Sequence, residues 1–308
     1  MDQQSAGAEK FRVPPPNRRQ KTLLGAPRSY ESTVIQSQTS FHPEEENAIV
    51  DYLTTLYRGV FTPEAIRTHL ASHVGYDFAD YALAVTAPHL PQQAKVLDLG
   101  CGFGSYVIRA REAGLDAVGV ELSAFEIEFA KRRLQRLRPA DNADEIFKVA
   151  DATRIEPAGG AFDAVTLWNV LEHIEDAAAI LRSVDRLLKP GGQVFIVCPN
   201  YQATRDEAHY HVPWNADLSR NRGKAVDYLR SLGRDPAFFE TSIYCRTNRE
   251  VIGILEKLGY TLFELSPRRP ISYRLRHLVS ILRQWKAVQN ARSDFKHSVE
   301  VAAVKAFA

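Results

Sequence analysis

The fold of this chain is decided by residues 96–104, Val96-Leu97-Asp98-Leu99-Gly100-Cys101-Gly102-Phe103-Gly104. The stretch is a short apolar run that carries one acid and ends in three glycines at alternate positions. Residues 105–113 then follow with a helical pattern. A strand that ends in glycines and opens a helix leaves backbone free to approach a ligand closely. The stretch therefore predicts a ligand site at the end of a parallel strand.

A second apolar run, Ala117–Glu121, ends in a carboxylate 17 residues after Gly104. An acid at the tip of the second strand can hold both hydroxyls of a ribose. The dinucleotide pattern G-x-G-x-x-G fails here, because position 105 is Ser. Asp98 would repel a phosphate and attract an ammonium or sulfonium group. The pattern therefore favours a cationic nucleoside cofactor over a dinucleotide.

Three further stretches follow in order: Val149–Ala152, Phe162–Ile174 and Leu187–Gly192. Together with the two runs above, they resemble the motifs of the class I S-adenosylmethionine-dependent methyltransferases. The match extends from about residue 80 to residue 200, and it is most similar to the small-molecule branch that includes ubiquinone-type O-methyltransferases. Five ordered elements at this spacing are far more specific than one glycine motif.

The resemblance implies S-adenosyl-L-methionine as the cofactor. In that family Asp98 would orient the ammonium or a water beside it, Glu121 would bind the ribose, and Asp151 would accept from the adenine amino group. Asn169, at the tip of the fourth strand, would lie against the methionine portion. The residues expected at the cofactor are Asp98, Gly100, Gly102, Gly104, Glu121, Leu122, Asp151, Ala152 and Asn169. Taken singly, Asp98 could instead cap the following turn, and Glu121 could be a solvated strand end.

Three histidines are candidates for the base that removes a proton from a hydroxyl acceptor. His173 follows the fourth strand, and His209 and His211 lie in an insertion that should fold over the pocket. Structural roles remain open for all three: a hydrogen bond at a helix start for His173, and loop packing around Trp214 for the other two. Tyr201, Tyr210 and Trp214 are read either as aromatic walls for the acceptor or as core. An H-x-H pair can bind a metal, but no third ligand is evident, so the sequence predicts none.

The alternation of strands and helices predicts a Rossmann-like α/β fold with a seven-stranded, mostly parallel sheet. Apolar runs predict strands near residues 95–99, 116–121, 145–150, 162–168 and 193–198, and the capping box Thr247–Glu250 predicts the start of a helix. The resemblance adds an antiparallel last strand, matched by residues 298–306. We expect a flexible tail over residues 1–40 and an N-terminal helical cap over residues 41–90. The methyltransferase domain would cover residues 91–308, with insertions at about 200–246, after strand five, and 267–296.

Composition adds limits on location and partners. The net charge is +2 and no apolar run reaches the length of a membrane span. The 3 cysteines form no C-x-x-C pair, which favours the cytoplasm. Residues 267–296 carry 8 Lys or Arg against 1 acid. That segment reads as a basic amphipathic helix, either a solvated face or a surface for an anionic partner. The positive and negative charges of the rest of the chain are balanced, which argues against a nucleic-acid partner.

The sequence thus predicts transfer of a methyl group to an O or N atom of a small molecule, in secondary metabolism or cofactor biosynthesis. The acceptor could be anionic or lipid-linked, given the basic segment. One alternative is methylation of a sugar or a lipid-linked glycan intermediate. Another, from a different class, is a scaffold that binds S-adenosylmethionine without transferring its methyl group.

Overall fold

The computed structural model describes residues 41–155, 160–263 and 298–306. The predicted tail over residues 1–40 and the predicted basic helix within residues 267–296 lie outside these ranges. Within them, no helix is long and apolar enough to cross a membrane.

The described chain alternates helices and strands from residue 43 to residue 304. The helices are α1 (Pro43–Leu56), α2 (Pro63–His69), α3 (Asp77–Thr86), α4 (Ser105–Glu112), α5 (Ala124–Leu137), α6 (Ala143–Ile146), α7 (Ala177–Leu187), α8 (Ala216–Arg220), α9 (Arg222–Ser231), α10 (Ala237–Ser242) and α11 (Asn248–Lys257). The strands are β1 (Lys95–Leu99), β2 (Asp116–Glu121), β3 (Phe147–Val149), β4 (Phe162–Trp168), β5 (Leu188–Pro199), β6 (Asp206–Glu207), β7 (Val212–Pro213), β8 (Thr261–Phe263) and β9 (Ser298–Val304). Shorter turns are a π-helical one over Leu70–Val74 and 3₁₀ turns over Ala87–His89, Ala152–Arg154 and Leu171–His173.

The main sheet has seven strands in the order β3-β2-β1-β4-β5-β9-β8. The pairs from β3 to β5 are parallel, whereas β9 is antiparallel to both β5 and β8. The predicted fold class is therefore confirmed, including the antiparallel last strand. The strand order reverses beside β1, and the carboxyl ends of β1, β2 and β4 meet at one edge, where open α/β sheets bind ligands.

The predicted strands β1, β2 and β4 coincide with the observed ones. The third strand is shorter than the predicted 145–150, because helix α6 occupies the residues before it. Asn142 starts that helix, since its side chain accepts a hydrogen bond from the backbone N–H of Asp144. At the start of α11, Thr247 accepts from the N–H of Glu250, as the sequence predicted.

Both faces of the sheet are covered by apolar side chains. One cluster packs α3, α4 and α5 against one face, and the other packs α7 and α11 against the opposite face. Helix α7 shows why: Ile180, Leu181, Val184 and Leu187 recur at helical spacing and are buried. The two layers hold the strand ends at fixed positions, and the site is built on those ends.

The N-terminal helices form a cap over the carboxyl edge of the sheet. Ile49, Leu53 and Ile66 pack with Phe103 of the glycine loop and with Phe129 of α5. The cap therefore rests on the predicted cofactor loop itself.

Residues 200–246 fold as a second small cluster, which we call the lid. It holds the β6–β7 hairpin and helices α8 to α10. Its interior includes Tyr201, Tyr210 and Trp214, whose side chains are buried. The sequence allowed these aromatic residues to be either walls for the acceptor or core. In the structure they form the core of the lid.

Candidate cofactor and acceptor site

The glycine loop has a backbone that ordinary residues rarely adopt. Gly100, Gly102 and Gly104 all have positive φ, at 72°, 50° and 77°. A Cβ on Gly100 would lie 2.4 Å from Val170, and one on Gly104 would lie 2.6 Å from Phe147. These two glycines therefore allow the loop to pack on the protein. A Cβ on Gly102 would meet only a carboxylate oxygen of Glu126, at 3.2 Å, so this is the glycine that leaves room beside the loop.

Asp98 lies at the carboxyl end of β1, beneath the glycine loop. Its side chain is 2% exposed, and its Oδ1 accepts a hydrogen bond of 2.6 Å from Thr166 Oγ1. Burial raises the pKa of Asp98 to about 7, although the Thr166 hydrogen bond acts in the other direction. Glu121 adds to the rise, because it is a second negative charge. A buried carboxylate in this setting favours a cationic ligand group.

Glu121 ends β2, as predicted, and it organises the loop that follows. Its Oε1 accepts from the backbone N–H groups of Leu122 and Ser123, at 2.6 and 3.1 Å. Its Oε2 accepts from the N–H of Gly102, at 3.3 Å. The carboxylate thus bridges the ends of β1 and β2, where a ribose would lie between them.

Glu126 is a site residue that the sequence analysis missed. It lies in the first turn of α5, and its carboxylate faces Gly102. Tyr52 of the cap donates a hydrogen bond of 2.9 Å to its Oε1. Burial, then the charge of Glu121, raises the pKa of Glu126 to about 7. The only sequence signal was an acid in the first turn, which usually serves the helix dipole.

The other predicted cofactor residues lie along the same edge. Leu122 is 71% exposed beside Glu121, so its apolar side chain is available to a flat ligand. Asp151 caps the turn at Ala152–Arg154, since its Oδ1 accepts from the N–H and the hydroxyl of Thr153, at 2.9 and 2.6 Å. The structure therefore gives Asp151 a capping role in addition to any contact with a cofactor.

Asn169 follows β4 and adopts a positive φ of 54°, which is costly for a residue with a side chain. Its Nδ2 lies 3.3 Å from Nε2 of His73, in the π-helical turn of the cap. Strained backbone and π-helical turns are both frequent at functional sites. The tip of β4 and the cap thus meet at the place where the resemblance puts the methionine portion.

These residues fit S-adenosylmethionine by their chemistry. A buried acid faces the region of the amino-acid arm, a second acid lies at the β2 tip, and an exposed leucine follows it. The open side of Gly102 lets a ligand approach the loop backbone.

A second region, between the cap and the lid, is lined by aromatic and histidine rings. We call this cluster of contacting rings the acceptor pocket, after the role proposed for it below, and define it by Tyr57, Phe61, His69, His73, His173, His209, His211 and Phe238. Tyr57 and Phe61 stack at 4.0 Å, and His69 and His73 stack at 4.7 Å. Tyr57 contacts Phe238 of the lid, with ring centroids 5.4 Å apart. The pocket is therefore shared by the two elements that cover the sheet edge.

His173 lies directly after β4 and faces the lid. Its Nδ1 is 2.7 Å from the carbonyl oxygen of Ser242, which can only accept, so Nδ1 carries the proton. Its Nε2 is therefore the nitrogen with a lone pair. Burial, then the neighbouring His209, lowers the pKa of His173 to about 4. The alternative interpretation was that the side chain of His173 makes a hydrogen bond at a helix start. In the structure it instead donates to Ser242 of the lid.

His209 is held by a buried carboxylate that the sequence analysis also missed. Its Nδ1 is 3.1 Å from Oε1 of Glu207, which also accepts a 2.5 Å hydrogen bond from the hydroxyl of Tyr201. Burial alone would raise the pKa of Glu207, but the charge of His209 and these hydrogen bonds lower it to about 2. The ring of His209 lies 5.0 Å from that of His173. The lid thus brings an oriented histidine to the end of β4.

His211 lies apart from this pair, at the outer side of the pocket. It is exposed, has a positive φ of 52°, and contacts Phe61 at 5.7 Å between ring centroids. The H-x-H spacing thus separates the two lid histidines: His209 faces His173, whereas His211 faces the cap.

Glu172 completes the base of the acceptor pocket. It is fully buried, and neither carboxylate oxygen has a hydrogen-bond partner. Arg246, at the end of the lid, donates to the carbonyl oxygens of Glu175 and Leu171, at 2.6 and 3.3 Å, and so anchors the lid beside Glu172. Burial raises the pKa of Glu172 to about 7. An unsatisfied buried carboxylate is costly, so it calls for a functional explanation.

The fold and the site together define a class I, Rossmann-like domain with a nucleoside-type cofactor site at the ends of β1, β2 and β4. A family profile described as "Methyltransferase domain" matches residues 70–265, more than half of the chain. The chain therefore belongs to this methyltransferase family, and the resemblance seen in the sequence is confirmed.

Curated relatives match the central part of the chain. The ubiquinone biosynthesis O-methyltransferase of Pseudomonas aeruginosa (strain UCBPP-PA14) is 36% identical over 102 residues, which cover 33% of this chain and 43% of the relative. The enzyme of the same name from Xanthomonas axonopodis pv. citri (strain 306) is 36% identical over 112 residues, covering 36% and 46%. The chain thus spans less than half the length of these relatives.

Solved structures share the fold. Phosphoethanolamine N-methyltransferase 2 of Haemonchus contortus, in complex with S-adenosyl-L-methionine, aligns with a TM-score of 0.50 at 18% identity. The alignment covers 90% of this chain and 60% of that one. A second structure of this enzyme, with phosphomonomethylethanolamine and S-adenosylhomocysteine, also gives 0.50 at 20% identity, covering 84% and 60%.

Proposed function

We propose that this protein transfers a methyl group from S-adenosylmethionine to a hydroxyl oxygen of a small molecule that carries a ring. The single observation that carries the proposal is the juxtaposition of two regions at one sheet edge. The strand-end edge that holds Asp98, Gly102 and Glu121 adjoins the cluster of aromatic and histidine rings, which it meets where Asn169 Nδ2 lies 3.3 Å from Nε2 of His73. Membership of the methyltransferase family and the names of the curated relatives support it.

When bound, S-adenosylmethionine supplies a methyl group that leaves with the bonding pair retained on sulfur. The chain's own residues hold the acceptor, exclude water and take its proton. Tyr57, Phe61 and Phe238 offer flat apolar surfaces to a ring. His173 and His209 each keep Nδ1 in a fixed hydrogen bond, so Nε2 of either can accept the hydroxyl proton as the O–C bond forms. His211 remains the third candidate base.

The basic segment supports a narrower proposal, that the acceptor is anionic or lipid-linked. Residues 267–296 carry 8 Lys or Arg against 1 acid, a composition that attracts phosphate or an anionic lipid surface. Changing Arg274, Arg276 and Arg283 together to Gln should weaken binding to anionic vesicles or raise the KM for the acceptor. The loss should shrink at high salt, where exposed charges are already screened. If neither quantity changes, the acceptor is a neutral small molecule.

A cytoplasmic location is part of the same proposal. Cys101 and Cys198 are buried as free thiols, and Cys245 is also unpaired. Cys101 packs against Gly119. Burial raises the pKa of its thiol, so Cys101 does not serve as a nucleophile.

The proposed function is tested by incubating the purified chain with S-adenosylmethionine and a panel of phenols, catechols and hydroxylated quinone precursors. We expect formation of S-adenosylhomocysteine together with a methyl ether. Methylation of amines alone would make nitrogen the acceptor atom. Tight binding of S-adenosylmethionine without turnover on any acceptor would instead favour the non-catalytic scaffold.

A further inference from the structure

The acceptor pocket contains a group of side chains with the chemistry of a metal site. A carboxylate oxygen of Glu172 and one ring nitrogen each of His173 and His209 lie within 4.8 Å of one another. The sequence predicted no metal, because the H-x-H pair had no third ligand nearby. In the fold, however, His211 turns away, and the two other ligands come from the end of β4. We propose that Glu172, His173 and His209 bind one divalent transition-metal ion of the zinc type.

The buried carboxylate of Glu172 lacks a hydrogen-bonding partner. Both of its carboxylate oxygens are buried and without a hydrogen-bond partner, although it lies beside two imidazoles. A buried carboxylate in a native protein is normally hydrogen-bonded, paired with a cation or bound to a metal. An ion at the centre of this group would satisfy the free oxygens.

Both histidine rings are held in one orientation through their Nδ1 atoms. Nδ1 of His173 donates to the carbonyl oxygen of Ser242, and Nδ1 of His209 donates to the carboxylate of Glu207. Imidazoles that bind metals almost always donate their other N–H to a carbonyl or a carboxylate, which fixes the ring and its tautomer. Here both partners are present, and Glu207 is itself held by Tyr201 and by the backbone N–H groups of His209 and Tyr210.

The ligand atoms of this group determine which kind of ion it can bind. Two imidazoles and one carboxylate suit zinc and its neighbours, whereas Mg²⁺ and Ca²⁺ prefer oxygen ligands alone. Metal–ligand bonds of roughly 2.0–2.2 Å place the ligand atoms about 3–3.5 Å apart, so the group must contract modestly from its present spacing. Three protein ligands leave a position for an oxygen of water or of the acceptor. Because the ion takes the lone pair on Nε2 of both histidines, a bound ion would replace the histidine base and lower the pKa of the acceptor hydroxyl itself. The acceptor part of this statement rests on the proposed function, but metal binding does not.

The test uses the full chain, treated with a chelator and then titrated with Co²⁺, whose visible absorption reports coordination by nitrogen and oxygen. We expect one Co²⁺ per chain, displaced by one equivalent of Zn²⁺. The variants Glu172→Gln and His209→Ala should each weaken binding at least tenfold. The matched controls Glu175→Gln and His42→Ala change exposed side chains and should bind as the unchanged protein does.

A further variant addresses the supporting residues. Glu207→Gln should weaken Co²⁺ affinity by about 10–100-fold, as expected for a residue that orients a ligand. Circular dichroism of each variant shows whether it has folded. If the unchanged protein binds no Co²⁺, or if His73→Ala abolishes binding while His209→Ala retains it, the proposal is wrong. In that case Glu172, His209 and Glu207 form an ion-pair network.

Calorimetry with S-adenosylmethionine on the same samples separates this inference from the proposed function. Cofactor binding without metal binding would overturn only the metal site. Metal binding without cofactor binding would overturn the proposed function and leave the metal site standing.

Discussion

Thr166 and Asp98 are cross-strand neighbours on β4 and β1, and the threonine hydroxyl donates a 2.6 Å hydrogen bond to the aspartate. This pair lies beneath the glycine loop, where both side chains are almost fully buried. The hydrogen bond fixes the carboxylate at the end of β1, while burial makes its charged form costly. A cationic ligand group would offset that cost, so the charge of Asp98 should be coupled to cofactor binding.

The first prediction is that cofactor affinity depends on pH through Asp98. Burial raises the pKa of this carboxyl to about 7, so below pH 7 Asp98 is mostly uncharged in the ligand-free protein, and binding of an ammonium to its charged form must release a proton. Affinity for S-adenosylmethionine should therefore be constant above pH 7 and fall below it, by at most about tenfold per pH unit. Calorimetry in buffers of different ionisation enthalpy measures both the affinity and the released proton.

Two variants assign this pH dependence. Asp98→Asn should bind more weakly and lose the dependence, whereas Glu126→Gln should retain it, although the pKa of Glu126 also lies at about 7. Stability depends on pH in the opposite direction to cofactor affinity. A carboxyl with a raised pKa makes the folded state bind more protons, so Asp98 destabilises the free protein as pH rises from 4 to 7. Thermal unfolding of Asp98→Asn should therefore be less sensitive to pH in that range.

The second prediction concerns Gly102. Gly102→Val should abolish binding of S-adenosylmethionine, because the branched side chain fills the open side of the loop and φ is +50° there. Gly233→Val is a suitable control, since Gly233 has a φ of +69° and open space around it, and it follows α9 in the lid, outside the glycine loop. If both variants bind the cofactor like the unchanged protein, the glycine loop is not the cofactor site.

The third prediction concerns Glu121. Glu121→Ala should weaken cofactor binding by about 1–3 kcal/mol, because charged hydrogen bonds to the ribose are lost. The same carboxylate also accepts three backbone N–H groups of the surrounding loops, so the variant loosens the loop as well. Adenine, which lacks the ribose, separates the two effects: its affinity should stay the same if only the ribose contacts are lost and should fall if the loop is loosened. An unchanged affinity for both ligands would remove Glu121 from the site.

Most of the fold could be predicted from the sequence, because local signals agreed with the tertiary structure. The strands β1, β2 and β4 are apolar runs with clear ends, and helices begin at residues such as Thr247 that cap them. The prediction and the structure differ at the third strand, where the first residues of the predicted strand form a short helix instead. Residues 143–146 are helical because Asn142 caps them, and an apolar pattern alone could not show that.

The candidate site could be predicted only in part. The cofactor residues could be predicted because they follow one another along the motifs at a regular spacing. Glu207 and Glu172 lie 35 residues apart, and only the folded lid brings His209, which Glu207 orients, to Glu172. The sequence did contain a signal for Glu207, because an acid two residues before His209 is close enough to orient the histidine ring. His69 and His73, four residues apart on the cap, were also visible as a pair, but they precede every motif.

The fourth prediction concerns the contact between the cap and the cofactor loop. Tyr52→Phe removes the hydrogen bonds from the hydroxyl to Glu126 and Ser123, at 2.9 and 3.0 Å, but keeps the stacking on Phe125. The free energy of unfolding should fall by about 0.5–1.5 kcal/mol, because a partly buried carboxylate loses a donor. Urea unfolding measures this. Tyr228→Phe, on the lid and away from the cofactor loop, is the matched control and should change stability less.

The last prediction concerns His173 and catalysis. His173→Ala should lower kcat on the order of 10²–10⁴-fold, because the imidazole at the end of β4 assists removal of the hydroxyl proton. Cofactor affinity should stay the same, since the acid groups that hold the cofactor lie on other strand ends. Steady-state kinetics with a phenolic acceptor, together with calorimetry, measure the two quantities separately.

The lid histidines provide the comparison for His173. His209→Ala should lower kcat comparably, because the ring of His209 lies 5.0 Å from that of His173 and is oriented by Glu207. His211→Ala should change kcat far less, since its ring is exposed and faces Phe61 of the cap. If His211→Ala alone collapses kcat, the base lies on the outer lid. If all three variants stay active, catalysis rests on positioning, and an amine or an acidic hydroxyl becomes the better acceptor.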